Sequence, residues 1–358
     1  MQTLTNLLAA FDPTAPLGRA ETPPAGWYTR DDVHARELAT VWRRCYRVVA
    51  RLGEVASAGR FVGGSRPGLS WLVTRGEDGA LRAFHNTCRH KGTVLVEGVG
   101  EGAVTCPYHG WRYALDGALR SAPRAAGIEA LAGRRLALPP LALSTWGPLV
   151  LVAPEPAPPP PDVAAPEVHA AFVAAGMDGL VHWGRHSWDV ACNWKVFVDN
   201  YLDGGYHVAI AHPGLAGQLD LDAYETRVYA RSSLQTAGGA DARIGGGALY
   251  GWLYPNIMLN RYGPVLDVNV VYPTGPRTCR VLFDYWFTPD ALADEAFVAA
   301  SVASSVATQE EDVALCERVQ RGLEGSGYER GPYAPRVEAA MHAFHKLLAA
   351  DLAGDDGV

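Results

Sequence analysis

The chain has 358 residues, 48% hydrophobic and 19% charged, with a formal net charge of −7. That is enough for two globular domains of ordinary size, each with a sizeable core. The acidic balance argues against a nucleic-acid partner or an anionic membrane surface.

Met1 to Ala10 has neither a basic start nor a long apolar stretch, so it does not read as a secretory signal. Residues 1–26 are rich in Pro, Thr and Ala and read as an irregular arm. A domain is expected over 27–153, opening with a turn and a helix from Thr29 to Arg44, with Asp31 and Asp32 near its start. From Arg51 onward, short strands divided by glycine turns predict a small all-β fold, as in Ser70-Trp71-Leu72-Val73-Thr74 and Leu81-Arg82-Ala83-Phe84. The longest charge-free run, Leu136 to Pro154, is broken by Pro139, Pro140 and Pro148, which argues against a membrane-spanning helix.

Within this region stand Cys88-Arg89-His90-Lys91-Gly92 and Cys106-Pro107-Tyr108-His109-Gly110-Trp111. Two thiolates for one iron and two imidazoles for the other are the ligand set of a Rieske [2Fe–2S] centre, so Cys88, His90, Cys106 and His109 are its expected ligands. A Cys₂His₂ zinc site is the competing reading, but zinc fingers group Cys with Cys and His with His. Here each segment carries one of each, followed by glycine. The remaining cysteines, Cys45, Cys192, Cys279 and Cys316, are scattered singly in apolar surroundings. They are expected to be buried thiols of a protein kept in a reducing cytoplasm.

With these two motifs the chain resembles the Rieske non-haem iron oxygenases, the α-subunit family of the ring-hydroxylating oxygenases, from about Trp27 to about Leu348. The resemblance implies an α+β protein: an N-terminal all-β Rieske domain followed by a helix-grip (START-like) catalytic domain with a mononuclear iron. The prolines of 154–166 suggest an extended, semi-rigid linker, leaving 167–358 for the catalytic domain. Periodicity alone shows only that this second part is α+β. Asn193 is a candidate N-cap for a helix reaching about His207. Alternation from Leu266 to Tyr272 predicts a half-buried strand, paired as a hairpin with a strand over Cys279–Phe287. Helices are expected over about Asp290–Leu323 and Val337–Leu348.

His207 and His212 do not share a helical face, so they meet on one metal only where the helix is broken. Gly204, Gly205 and Pro213 surround that point. Asp312, within Gln309-Glu310-Glu311-Asp312, is the expected third ligand, with Glu310 and Glu311 as the alternatives; it completes a two-His, one-carboxylate set for Fe(II) that leaves positions open for O₂ and substrate. His182 and His186 read instead as a packed or surface pair between Trp183 and Trp188.

The family passes electrons between neighbouring subunits of a trimer through a carboxylate, usually three residues before the first iron histidine. Here that position is Gly204. Asp203, four residues before His207, is the expected bridge, and Asp199 is the secondary candidate. The wording Asp199-Asn200-Tyr201-Leu202-Asp203-Gly204-Gly205-Tyr206-His207 is most similar to the choline monooxygenase-like members. A quaternary ammonium substrate would be held by aromatic faces, for which Tyr206, Trp252, Tyr254 and Tyr262 are candidates. The resemblance implies O₂ as co-substrate, a small organic substrate, a homotrimer, and a separate NAD(P)H-dependent reductase or ferredoxin, since no nicotinamide or flavin fingerprint is evident. An aromatic ring-hydroxylating dioxygenase and a Rieske electron carrier without oxygenase activity are the alternatives.

Overall fold

The computed structural model describes residues 2–131, 133–217, 219–239 and 247–354; the first residue of the expected arm and the last four of the expected second domain lie outside these. The chain forms two compact units, Trp42–Pro161 and a second made of residues up to Val41 together with Asp162 onward.

The first unit is all-β, as the glycine-punctuated pattern predicts. Seven antiparallel strands run in the spatial order Arg47–Arg51, Leu149–Ala153, Pro140–Trp146, Leu81–His85, Leu69–Arg75, Arg60–Arg66 and Gly98–Glu101. A second sheet of three short strands, Val104–Thr105, Arg112–Tyr113 and Leu119–Ser121, carries the second cysteine-histidine loop at its first turn. Trp71, Val73, Leu141 and Val150 fill one core, and Leu72, Phe84, Val104 and Trp111 enclose Cys88 and Cys106 in another.

The second unit is built on a seven-stranded antiparallel sheet in the order Val181–Val190, Thr278–Phe287, Val265–Gly275, Ile257–Tyr262, Gly247–Leu253, Ser232–Gly239 and Leu219–Val228. The expected hairpin over 266–287 is present. Its first strand, however, is buried on both faces rather than half-buried: Asp267 and Asn269 are as inaccessible as Leu266 and Val268. Helix Pro166–Ala174 covers the outer face so closely that a Cβ on Gly251 would lie 2.6 Å from the Phe172 ring. The long helix Glu295–Glu324 lies on the other face, where the Ser305 hydroxyl stands 3.2 Å from both Asp267 and Tyr285. The alternation reports two environments, one apolar and one a polar cavity, not core and solvent.

Three further boundaries differ from the sequence reading. The leading helix is Asp31–Ala39, and it belongs to the second unit, not to the Rieske unit. Its Glu37 is fully buried against Lys195 and accepts the Trp194 indole N–H at 2.9 Å. In the linker, Pro161 and Pro166 open helices Pro161–Ala164 and Pro166–Ala174 instead of extending the chain, because proline suits a first helical turn. Asn193 does cap its helix, accepting the Lys195 N–H at 3.0 Å, but the helix ends at Tyr201. Gly204 and Gly205 follow at φ +69° and +75°, left-handed values no helix interior allows.

Candidate metal centres

The two cysteine-histidine loops of the first unit have the same backbone. Cys88 N–H bonds the Thr93 carbonyl and Gly92 N–H returns to the Cys88 carbonyl; Cys106 does the same with Trp111 and Gly110. Both glycines are left-handed, at φ +74° and +70°, which is why each loop needs one. The loops bring the His90 and His109 rings to 4.7 Å and stack His90 on Trp111. Both sulfurs are buried. Burial opposes a Cys106 thiolate, but the N–H groups of His109 and Tyr108, then the Cys88 and Thr93 side chains, outweigh it and hold the thiol below its ordinary range. His90 Nδ1 is buried with no hydrogen-bond partner. Two buried sulfurs and an orphaned imidazole nitrogen fit the ligand set of a metal cluster.

In the second unit, His207 and His212 flank the one-turn helix Val208–Ala211. His212 precedes Pro213, which excludes α geometry from it, and its backbone sits at φ −124°, ψ 70°. That departure turns its ring back toward His207. The two Nε2 atoms stand 3.1 Å apart, and Asp312 Oδ1 lies 3.0 Å from His212 Nε2 and 3.6 Å from His207 Nε2. Ligands on one face of an octahedral ion at about 2.1 Å would stand roughly 3 Å apart. The structure therefore brings together all three of the expected donors.

A second layer of carboxylates fixes their protonation. His207 Nδ1 meets Asp203 at 2.6 Å, and His212 Nδ1 meets Glu311 at 2.7 Å. A ring that donates from Nδ1 presents a bare lone pair at Nε2. Two imidazole nitrogens and a carboxylate oxygen then converge, an arrangement that a metal ion or a proton relieves. Burial disfavours charge on His212, yet Asp312 and Glu311 outweigh it and raise the imidazole to about 9.

The triad opens on a cavity of about 110 Å³, room for several waters or one small organic molecule. Of the four aromatics expected there, only Tyr262 lines it. Trp252 and Tyr254 pack on Phe344 of helix Ala339–Ala353, and the Tyr254 hydroxyl is committed to Asp351 at 2.7 Å. Tyr206 is 62% exposed and is not among the lining residues. The aromatic walls are instead Tyr201, Tyr224, Tyr250 and Phe283, joined by the polar Asn260, Asp267, Asn269 and Gln309. Asp199 does not touch the triad. Its carboxylate accepts the Tyr28 hydroxyl at 2.8 Å and lies 2.8 Å from buried His345, whose other nitrogen is 2.6 Å from the Tyr333 hydroxyl. His182 pairs with Asp284 and His186 packs on Tyr285, and neither joins the metal-ligating triad.

A family model of the Rieske [2Fe-2S] domain matches residues 45–132, and one of the ring hydroxylating alpha subunit (catalytic domain) matches residues 177–354. The chloroplastic choline monooxygenase of Arabidopsis thaliana is 41% identical over 96% of this chain and 86% of its own. The carnitine monooxygenase oxygenase subunit of Escherichia coli K12 is 31% identical over 92% and 93%. A solved structure of a quaternary ammonium Rieske monooxygenase, reported for carnitine oxidation and inter-subunit electron transfer, matches with a TM-score of 0.85 at 25% identity over 98% and 99%.

A β unit built for an iron–sulfur cluster, joined to an α+β unit that gathers a facial triad, defines a two-centre iron oxygenase. The chain belongs to the Rieske non-haem iron oxygenases, the ring-hydroxylating oxygenase α-subunit family. It is an oxidoreductase that uses a Rieske [2Fe–2S] cluster, a mononuclear iron and O₂. Among the described residues no helix is long and apolar enough to cross a membrane.

Proposed function

We propose that this enzyme hydroxylates a small N-methylated quaternary ammonium compound of the choline type. In this reading Cys88, His90, Cys106 and His109 hold the cluster, and His207, His212 and Asp312 hold the iron. Asp203 links the two centres within a homotrimer, and a separate NAD(P)H-dependent reductase or ferredoxin supplies electrons. We place the protein in a reducing cytoplasm, in keeping with six cysteines of which none is in a disulfide.

The observation that carries the substrate class is the wall of the cavity beside the triad. Tyr201, Tyr224, Tyr250 and Tyr262 surround it. Aromatic faces attract a quaternary ammonium through the ring quadrupole, and more strongly where water is excluded. The names of the similar choline and carnitine enzymes support the same class. An unsubstituted aromatic hydrocarbon, the substrate of the ring-dihydroxylating alternative, would strand the buried polar groups Asn269 and Gln309.

The iron supplies O₂ activation, and the balance is R–H + O₂ + 2e⁻ + 2H⁺ → R–OH + H₂O. The chain's own work is positional. Asp203 and Glu311 fix the rings of His207 and His212, the triad leaves one face open, and the tyrosine walls orient the C–H bond. Hydroxylation at the carbinol carbon of choline gives the aldehyde hydrate; hydroxylation of an N-methyl group would release formaldehyde. The test is a single turnover. Chemically reduced, iron-loaded protein is exposed to O₂ with choline, and betaine aldehyde is quantified. Stoichiometric aldehyde is expected. No product, with the Rieske spectrum intact and iron bound, would sink the choline assignment.

A further inference from the structure

A row of register partners crosses five strands, Gln235, Tyr250, Asn260, Asp267 and Tyr285, and the first four line the iron cavity. Asp267 is 1% exposed, with one carboxylate oxygen 3.2 Å from the Ser305 hydroxyl. Two residues along the same strand face stands Asn269, and Gln309 reaches in from the long helix. Each is 2% exposed. Asn269 Oδ1 and Gln309 Nε2 have no hydrogen-bond partner. A buried donor or acceptor left unmade is costly, so such atoms mark where a ligand's polar group belongs. No Lys or Arg lines this cavity among the described residues.

We propose that Asp267 is the counter-charge for the substrate's ammonium group, while Asn269 and Gln309 hold its hydroxyl, so that the site selects cationic amino alcohols over quaternary ammonium carboxylates. The inference rests on the functional reading above and sharpens it. A hydroxyl donates and accepts at once, which suits one free acceptor and one free donor. A carboxylate suits neither the charge nor the free acceptor Asn269 Oδ1. It would meet Asp267 and the triad carboxylate Asp312 in a cavity with no cationic side chain to pair with it. The tyrosine faces attract the ammonium of both substrate classes alike, and L-carnitine also carries a hydroxyl, so discrimination against the carboxylate falls to the charge of Asp267 and Asp312.

The test uses the holoprotein, with calorimetric binding of choline, tetramethylammonium and L-carnitine, and single-turnover product as a second readout. Wild type is expected to bind choline at least about tenfold more tightly than L-carnitine. Asp267→Asn should weaken choline roughly 30-fold or more, as for a buried charge pair losing one member, without weakening L-carnitine. Asn269→Leu should weaken choline about tenfold or more and leave tetramethylammonium, which has no hydroxyl, unchanged. Equal or tighter binding of L-carnitine by wild type overturns the inference, as does an Asp267→Asn protein with wild-type affinity for choline. Should that variant lose its cluster absorbance or iron, wild-type selectivity and Asn269→Leu decide the matter. If L-carnitine binds in place of choline, only this inference falls. If none of the three binds, the functional reading falls with it.

Discussion

Asp203 Oδ2 stands 2.6 Å from His207 Nδ1, and the same carboxylate accepts the backbone N–H groups of Gly205, Tyr206 and His207 at 3.0, 3.2 and 3.0 Å. The side chain thus closes the turn that presents His207, the first of the proposed iron ligands, and sets its tautomer. Removing it disturbs both. Asp203→Ala is expected to lower iron affinity about 10–100-fold, the usual cost of losing such a partner, while the Rieske absorbance stays unchanged. Metal analysis alongside the visible spectrum checks this. Full iron content after dialysis against a weak chelator would show that Asp203 does not position His207.

Glu311 plays the matching part for His212, at 2.7 Å, but its side chain is 47% exposed. Water competes for a carboxylate so placed and screens its charge. Glu311→Gln should therefore cost iron affinity at the low end of that range, about tenfold, and less than Asp203→Ala. Chelator titrations of the two variants side by side give the ranking. A larger loss from Glu311→Gln would reverse the order argued here.

How much of this was legible in the sequence depended on whether a feature was local. The cluster loops and the histidine pair announce themselves because glycine and proline force the backbone at Gly92, Gly110, Gly204, Gly205 and Pro213. Asp312 is neighbour to Glu311, and sequence could not tell that one carboxylate faces Nε2 and the other Nδ1 of the same ring. Of the cavity walls, only Tyr262 was legible. Tyr201, Tyr224, Tyr250 and Tyr262 come from one helix and three strands and meet only through sheet register. Trp252 has the same strand parity as Tyr250, but two residues further along the sheet it lies under Phe344 instead of the iron. Asp267 and Asn269 read as solvent-facing because polarity does not distinguish water from a polar cavity.

Gly204 occupies the position where the family usually carries its bridging carboxylate, and restoring that residue is expected to fail. The backbone there is left-handed at φ +69°, and a Cβ would run into the Val337 carbonyl oxygen. Conformation alone disfavours a non-glycine residue by about 1 kcal/mol, and a backbone clash adds to that. Gly204→Asp should destabilise by roughly 2–4 kcal/mol and lower iron content together with turnover. Thermal melting and metal analysis are the readouts. A stable, iron-replete Gly204→Asp enzyme would mean that the Val337 segment yields.

Lys195 and Glu37 form a fully buried ion pair that ties the N-terminal helix Asp31–Ala39 to the helix leading into the iron site. Asn193 Oδ1 accepts a further Lys195 hydrogen bond at 2.8 Å, and the ammonium lies 5.2 Å from the centre of the Tyr28 ring. Breaking such a pair leaves one charge buried and uncompensated, which is far more costly than never having had the pair. Lys195→Met should therefore destabilise by about 3–5 kcal/mol, a fall on the order of 10 °C in Tm. Adding Glu37→Gln removes the stranded charge while keeping an oxygen for the Trp194 indole, so the double variant should recover most of the loss. Because Asp199 and Asp203 follow on the same stretch, Lys195→Met should also shed iron at temperatures where the double variant retains it. A double variant no more stable than Lys195→Met would mean that packing of the lysine stem, and not charge, holds the two helices together.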